Sequence, residues 1–141
     1  MKKFLMYAFM IPALAGTLFA CAVSKTDAKQ LAGKWNITEV KGEKVVAENT
    51  PFMEFNMNEN KLHGNAGCNI FNTSVTLDDK DASAIRIAQG MTTMMACPDM
   101  DLETKILQTM DAVRAVKAGA SENEMLLVDE AGNVLFVLVK P

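Results

Sequence analysis

Aromatic residues are scarce in this 141-residue chain, at 6%, and Phe4, Tyr7, Phe9 and Phe19 all fall within the first 20 positions. Positive charge is also short, with 14 Lys and Arg against 17 Asp and Glu and no basic block. A surface that tracks phosphates needs clustered cations to displace counterions, so nucleic acid is not an expected partner. One histidine and three cysteines leave little for nucleophilic or metal chemistry, and no phosphate loop, Ser-centred elbow or H-E-x-x-H helix is present. What is plentiful is apolar character, at 50%, and methionine, at 11 residues. The length suits one folded domain, with methionine serving as adaptable core or as exposed soft ligand.

Lys2 and Lys3 precede an apolar stretch, Phe4 to Ala20, interrupted by Pro12, Gly16 and Thr17. This is the charged n-region and apolar h-region of a secretory signal, too short and broken for a good membrane span. It ends in Leu18-Phe19-Ala20-Cys21, which resembles a lipobox, the signal for cleavage before Cys21 and acylation of that residue. Ordinary secretion through the small-x-small site Ala20-Cys21-Ala22 is the alternative. The expected organisation is a lipoprotein signal peptide over 1–20, a lipidated tether over 21–30 and a domain over 31–141. Acyl chains on Cys21 would anchor the protein stably, each buried CH₂ contributing about 0.8 kcal/mol. The expected location is the cell envelope, as an outer-membrane lipoprotein facing the periplasm or the surface. Removing residues 1–20 takes away only Lys2 and Lys3 among charged residues and moves the formal charge from −3 to −5.

In the mature chain Trp35 and Ile37 share one face of a period-2 run, and Lys41-Gly42-Glu43 turns it. Val45-Val46 reads as a short strand. Met53, Phe55 and Met57 alternate with polar residues, and Asn58-Glu59-Asn60 turns the chain back through Lys61 to Ala66. Val75 and Leu77, then Ile85 and Ile87, give two further alternating runs. Gln89 to Asp101 lacks periodicity and reads as a loop. Leu102, Ile106, Met110 and Val113 then predict one amphipathic helix over 102–116, with Glu103, Lys105, Gln108 and Asp111 off the apolar stripe and Asp99 or Asp101 as its cap. Met125–Val128 and Val134–Val139 form a terminal hairpin. Strands, one helix, then strands, with no βαβ alternation, predict a β-rich α+β fold. The expectation is a bent antiparallel sheet or cracked β-barrel with one main α-helix packed on it.

The most distinctive segment is His63-Gly64-Asn65-Ala66-Gly67-Cys68-Asn69-Ile70-Phe71. Its two glycines imply a tight turn or close backbone approach. The second is Met91-Thr92-Thr93-Met94-Met95-Ala96-Cys97-Pro98-Asp99. With the opening Leu31-x-Gly33-x-Trp35 and the terminal D-x-x-G turn at Asp129–Gly132, these resemble the META domain family, which includes HslJ-like heat-shock lipoproteins. The motif positions are Gly64, Gly67, Cys68, Asn69 and Phe71 in the first segment and Thr93, Met95, Ala96 and Cys97 in the second. Thr73, Val75 and Met94 depart from the family pattern. The resemblance implies a compact β-rich fold with a helix across one side, and a link to envelope or heat stress without an established substrate.

Cys68 and Cys97 remain once Cys21 is set aside, and an even pair in an oxidising compartment points to a disulfide. Two buried thiols are the alternative. His63 could meet Cys68 as base and nucleophile, but no third orienting group is visible and period-2 places His63 toward solvent or a sheet edge. No catalytic residue and no cofactor is therefore expected. Met91, Met94, Met95 and Met100 surround Cys97, so a Met/Cys site for Cu(I) is the alternative functional reading, with loop and core packing as its plainer explanation. Asp78, Asp79 and Asp81 lack the spacing of a calcium loop and read as a solvated turn. The expected function is non-enzymatic binding of an envelope protein or hydrophobic ligand by a monomer held to the membrane through its N-terminal lipid.

Overall fold

The computed structural model describes residues 25–98 and 100–141. The expected signal peptide over 1–20, the expected lipidation site Cys21 with residues 22–24 of the expected tether, and the candidate cap Asp99 lie outside the described residues. Alternation of apolar and polar residues makes the strands, since each second side chain must face the core. β1 (Gly33–Val40) buries Trp35, Ile37 and Val40, β3 (Phe52–Asn56) buries Met53 and Phe55, and β4 (Lys61–Asn65) buries Leu62. β5 (Ile70–Leu77) supplies Phe71 and Val75, and β6 (Ile85–Ile87) supplies both its isoleucines. β8 (Ala115–Ala118), β9 (Glu124–Val128) and β10 (Val134–Val139) complete the wall, and β2 (Glu43–Lys44) and β7 (Met91–Thr92) are short additions beside β1 and β5.

The named strands pair antiparallel in the order β6-β5-β4-β3-β1-β10-β9-β8. The two ends of that order meet. Ile85 N–H donates to the Arg114 carbonyl at 3.0 Å and Val116 N–H to the Ser83 carbonyl at 2.9 Å, so the bent sheet nearly closes into a barrel. Register shifts between Ile37 and Glu39 and between Val134 and Phe136 add a residue locally. Such bulges break the period-2 pattern and let Val40 and Leu135 point inward beside regular positions.

The single α-helix among the described residues, α1 (Asp101–Met110), crosses one mouth of the barrel and sends Ile106 and Met110 into the core. A 3₁₀ turn at Ala28–Leu31 covers the other mouth, with Ala28 N–H on the Ala82 carbonyl at 2.8 Å and the Trp35 indole on the Leu31 carbonyl at 2.7 Å. The α+β, β-rich fold expected from the order of elements is the one observed.

Three local expectations need correction. The helix stops at Met110 instead of reaching 116, because Arg114 N–H pairs with the Val128 carbonyl and 115–118 add a strand to the free edge of β9. Val113 is buried as predicted but lies past the helix end; its place in the helical stripe is a coincidence of spacing. The strand near Val45-Val46 falls instead on Glu43–Lys44, and Val46 is exposed. Finally, the fold begins before Leu31: Asp27 caps the 3₁₀ turn and Ala28 is buried, so the last part of the expected tether is built into the domain.

Candidate functional site

The two motif segments meet at the mouth of the barrel under α1, and Asn69 is their joint. Gly67, at φ +113°, makes the turn after β4 that L-residues with side chains rarely make. Asn65 Oδ1 accepts from Gly67 N–H at 2.7 Å, and Ala66 N–H donates to the Asn69 carbonyl at 3.0 Å. This turn aims the Asn69 side chain inward, where a carboxamide has two donors and two acceptor positions to satisfy. All four are filled. Nδ2 donates to Glu103 Oε2 at 2.7 Å and to the Met95 carbonyl at 3.1 Å; Oδ1 accepts from Thr93 Oγ1 at 2.8 Å and from Met95 N–H at 2.7 Å. Glu103 Oε1 takes the Asn69 backbone N–H at 2.6 Å, and Thr93 Oγ1 also accepts from Ile70 N–H at 3.1 Å. Asn69 and Glu103 are both buried.

Glu103 is the residue sequence reasoning misplaced. It was expected off the apolar stripe, yet it stands three and seven residues before Ile106 and Met110, on the buried face of α1. That spacing was the available signal. Met100 occupies the helix cap position without a side-chain cap bond, and Asp101 begins the helix.

The structure joins Cys68 to Cys97, with Cα atoms 6.2 Å apart, inside the range a disulfide spans. Both are half-buried, unlike the alternative of two buried thiols. With Cys97 so engaged, the Met/Cys metal reading loses its thiolate. Met91, Met94 and Met95 are exposed, which overturns core packing as their explanation, while Ala96 is exposed between Met95 and Cys97. His63 lies on the outer face of β4, its Nδ1 2.8 Å from Asn72 Oδ1 and its ring 6.1 Å from that of Phe52, so it does not pair with Cys68. Among the described residues no group of three or more His, Cys, Asp or Glu side chains is placed to hold a metal ion.

Gly64 is required by packing. A Cβ there would strike the Phe52 carbonyl and the Phe71 ring, which lies across it from the paired position on β5. Phe71 so placed forms the floor of a groove of about 400 Å³ between α1 and the β5, β6 and β7 strands. Ile87 and Met110 share the floor, Leu107 forms a half-buried wall, and Gln89, Gln108 and Asp111 stand exposed at the rim. Leu107 carries no mark in the sequence, and Gly90 reads there only as a loop residue. Gly90 lets the chain pass against Asn72 and Thr73, where a Cβ would overlap the Asn72 carbonyl.

The META domain profile matches residues 28–141. The chain belongs to the META domain family. Its match begins at the 3₁₀ turn that covers the barrel and runs to the C-terminal residue. No curated protein matches the chain. Two solved structures share this META domain's fold: a protein from Burkholderia xenovorans solved by NMR, and a crystal structure of a DUF4847-family protein from Bacteroides vulgatus. The first is 16% identical, with a TM-score of 0.60 over 80% of this chain and 85% of its own. The second is 14% identical, with a TM-score of 0.54 over 77% of this chain and 92% of its own. At these identities the likeness concerns architecture.

Proposed function

We propose that this META domain is an envelope lipoprotein that works by binding, without catalysis, and that its ligand site is the groove between α1 and β5–β7. The observation that carries the reading is the groove's construction. Its floor of Phe71, Ile87 and the adaptable Met110 is apolar and placed by the Gly64–Phe71 contact, its wall includes Leu107, and Thr73, Thr92, two amides and a carboxylate line the rest. An open groove of this size whose lining is mixed, apolar at the floor and polar around it, suits a small amphiphilic ligand or a side chain of a partner protein. The chain enters the fold at the 3₁₀ turn, on the mouth opposite α1. A tether held at Cys21 would therefore present the groove away from the bilayer, and the role we propose is in stress response or envelope maintenance.

The test uses the mature full-length protein. Titration with an apolar fluorescent probe such as N-phenylnaphthylamine should show saturable binding, and Leu107→Asp should weaken it about tenfold or more, the scale of about 1.4 kcal/mol lost from one apolar contact. Absence of saturable binding, or an unchanged affinity in Leu107→Asp, would sink the groove as the site. Mass spectrometry of the mature N-terminus should find an acylated cysteine, and Cys21→Ser should leave the membrane fraction; an unmodified N-terminus at Val23 would refute the anchor.

A further inference from the structure

Methionine is normally a core residue, and Met53, Met110 and Met125 behave so, at 0%, 6% and 5% exposure. Met91, Met94 and Met95 are 80%, 93% and 53% exposed, three thioethers within five residues. They are half of the large exposed hydrophobic side chains among the described residues, and packing does not account for them. Their backbone is nonetheless firmly held. Met91 pairs with Asn72 at the β5–β7 edge, Thr93 N–H donates to the Ile70 carbonyl at 3.0 Å, and the Met95 N–H and carbonyl both bind the Asn69 carboxamide. The side-chain sulfurs therefore face solvent from a segment whose place in the fold is secured by other atoms.

From this arrangement we propose that Met91, Met94 and Met95 form an oxidant-accepting surface, a modification site whose co-substrate is hydrogen peroxide. A thioether lone pair attacks one peroxide oxygen; the S–O bond forms as the O–O bond breaks. The departing hydroxide takes the proton left on the transferred oxygen and leaves as water, so sulfur loses two electrons and peroxide gains them. The neighbouring Cys68 and Cys97 are joined to each other and offer no competing thiol. Because none of the three methionines is buried in the core, sulfoxide formation makes the face polar without opening a cavity. The product stays exposed, which is what a methionine sulfoxide reductase needs to reverse the step. This surface is independent of the ligand groove and stands or falls without it.

The experiment is a peroxide time course on the mature full-length protein with peptide mapping by mass spectrometry. Met91, Met94 and Met95 should gain one oxygen each about tenfold or more faster than Met53, Met110 and Met125, following exposure of the sulfur. The triply oxidised protein should keep its melting temperature, and reductases for both sulfoxide epimers should return it to the starting mass. A triple variant, Met91→Leu with Met94→Leu and Met95→Leu, should melt like the parent and lose the fast phase. Equal rates for exposed and buried methionines, unfolding on oxidation of the three, or a fast phase that survives in the triple variant would each overturn the proposal.

Discussion

Asn69 shows how one side chain can hold two distant segments of a chain. Its carboxamide bridges the Gly67 turn, the Thr93–Met95 segment after β7 and Glu103 on α1, and every donor and acceptor it has is used. Truncation to Ala would leave Glu103 Oε2 without its donor in a buried place, while Oε1 keeps the Asn69 backbone N–H, and would leave the part-buried Met95 N–H unpaired; a buried polar group so unsatisfied costs about 1 to 3 kcal/mol. Asn69→Ala should therefore lose about 1 to 3 kcal/mol in urea denaturation, and a loss under about 0.5 kcal/mol would mean the network is not holding the mouth. Asn69→Asp, nearly identical in volume, should be worse, because it replaces two donors by a carboxylate facing Glu103. The comparison of the two variants separates lost hydrogen bonding from lost shape.

At the scale of elements, α1 is short and owes its place to what it buries. Ile106 is fully enclosed, so Ile106→Ala should cost about 2 to 5 kcal/mol by removing apolar contact and leaving a cavity. A cost below about 0.5 kcal/mol in thermal or chemical denaturation would mean that face is not core. The β9–β10 hairpin is set instead by turn chemistry. Asp129 accepts from Ala131 N–H at 3.0 Å, Asn133 N–H at 2.9 Å and the Asn133 amide at 3.1 Å. These bonds, the Asn133 side chain first, hold the Asp129 carboxyl below its ordinary range. A carboxyl depressed in the folded state stabilises the fold above its unfolded pKa and ceases to do so as pH falls through the folded one. NMR titration should find Asp129 ionised below the ordinary carboxylate range, with amide exchange at Ala131 and Asn133 rising only as it protonates. A normal Asp129 titration would refute the turn's role.

For the whole molecule, the Cys68–Cys97 link closes a loop of 29 residues that contains β5, β6 and β7. A crosslink of that span lowers the entropy of the unfolded chain and should stabilise the fold by roughly 3 to 4 kcal/mol. The double variant Cys68→Ala/Cys97→Ala should lose about that amount and keep its strand content, since β5 is also paired with β4 and β6. Two titratable thiols in protein isolated without reductant would show that the pair is open. The barrel, closed by the 83–85 to 114–116 pairing, is thus held by sheet hydrogen bonds around its wall and by Asn69 and the cysteine pair at one mouth.

The alternation of Trp35 with Ile37, Met53 with Phe55 and Ile85 with Ile87 determined the strands, because a half-buried strand imposes period 2 locally. The stripe through Ile106 and Met110 determined the helix, and the ordered Gly, Cys, Asn and Thr landmarks determined the family. These are short-range or compositional signals, carried by neighbours in the chain. Only the tertiary structure decided where the helix ends, since the free edge of β9 competes for Ala115–Ala118 with no mark in their own sequence. Likewise, the burial of Glu103, the contact of Gly64 with Phe71 and the groove they position depend on partners 34, 7 and more residues away. A polar side chain looks solvent-bound until the group that satisfies it is folded against it, and for Glu103 that group lies on the far side of the loop that the cysteine pair closes.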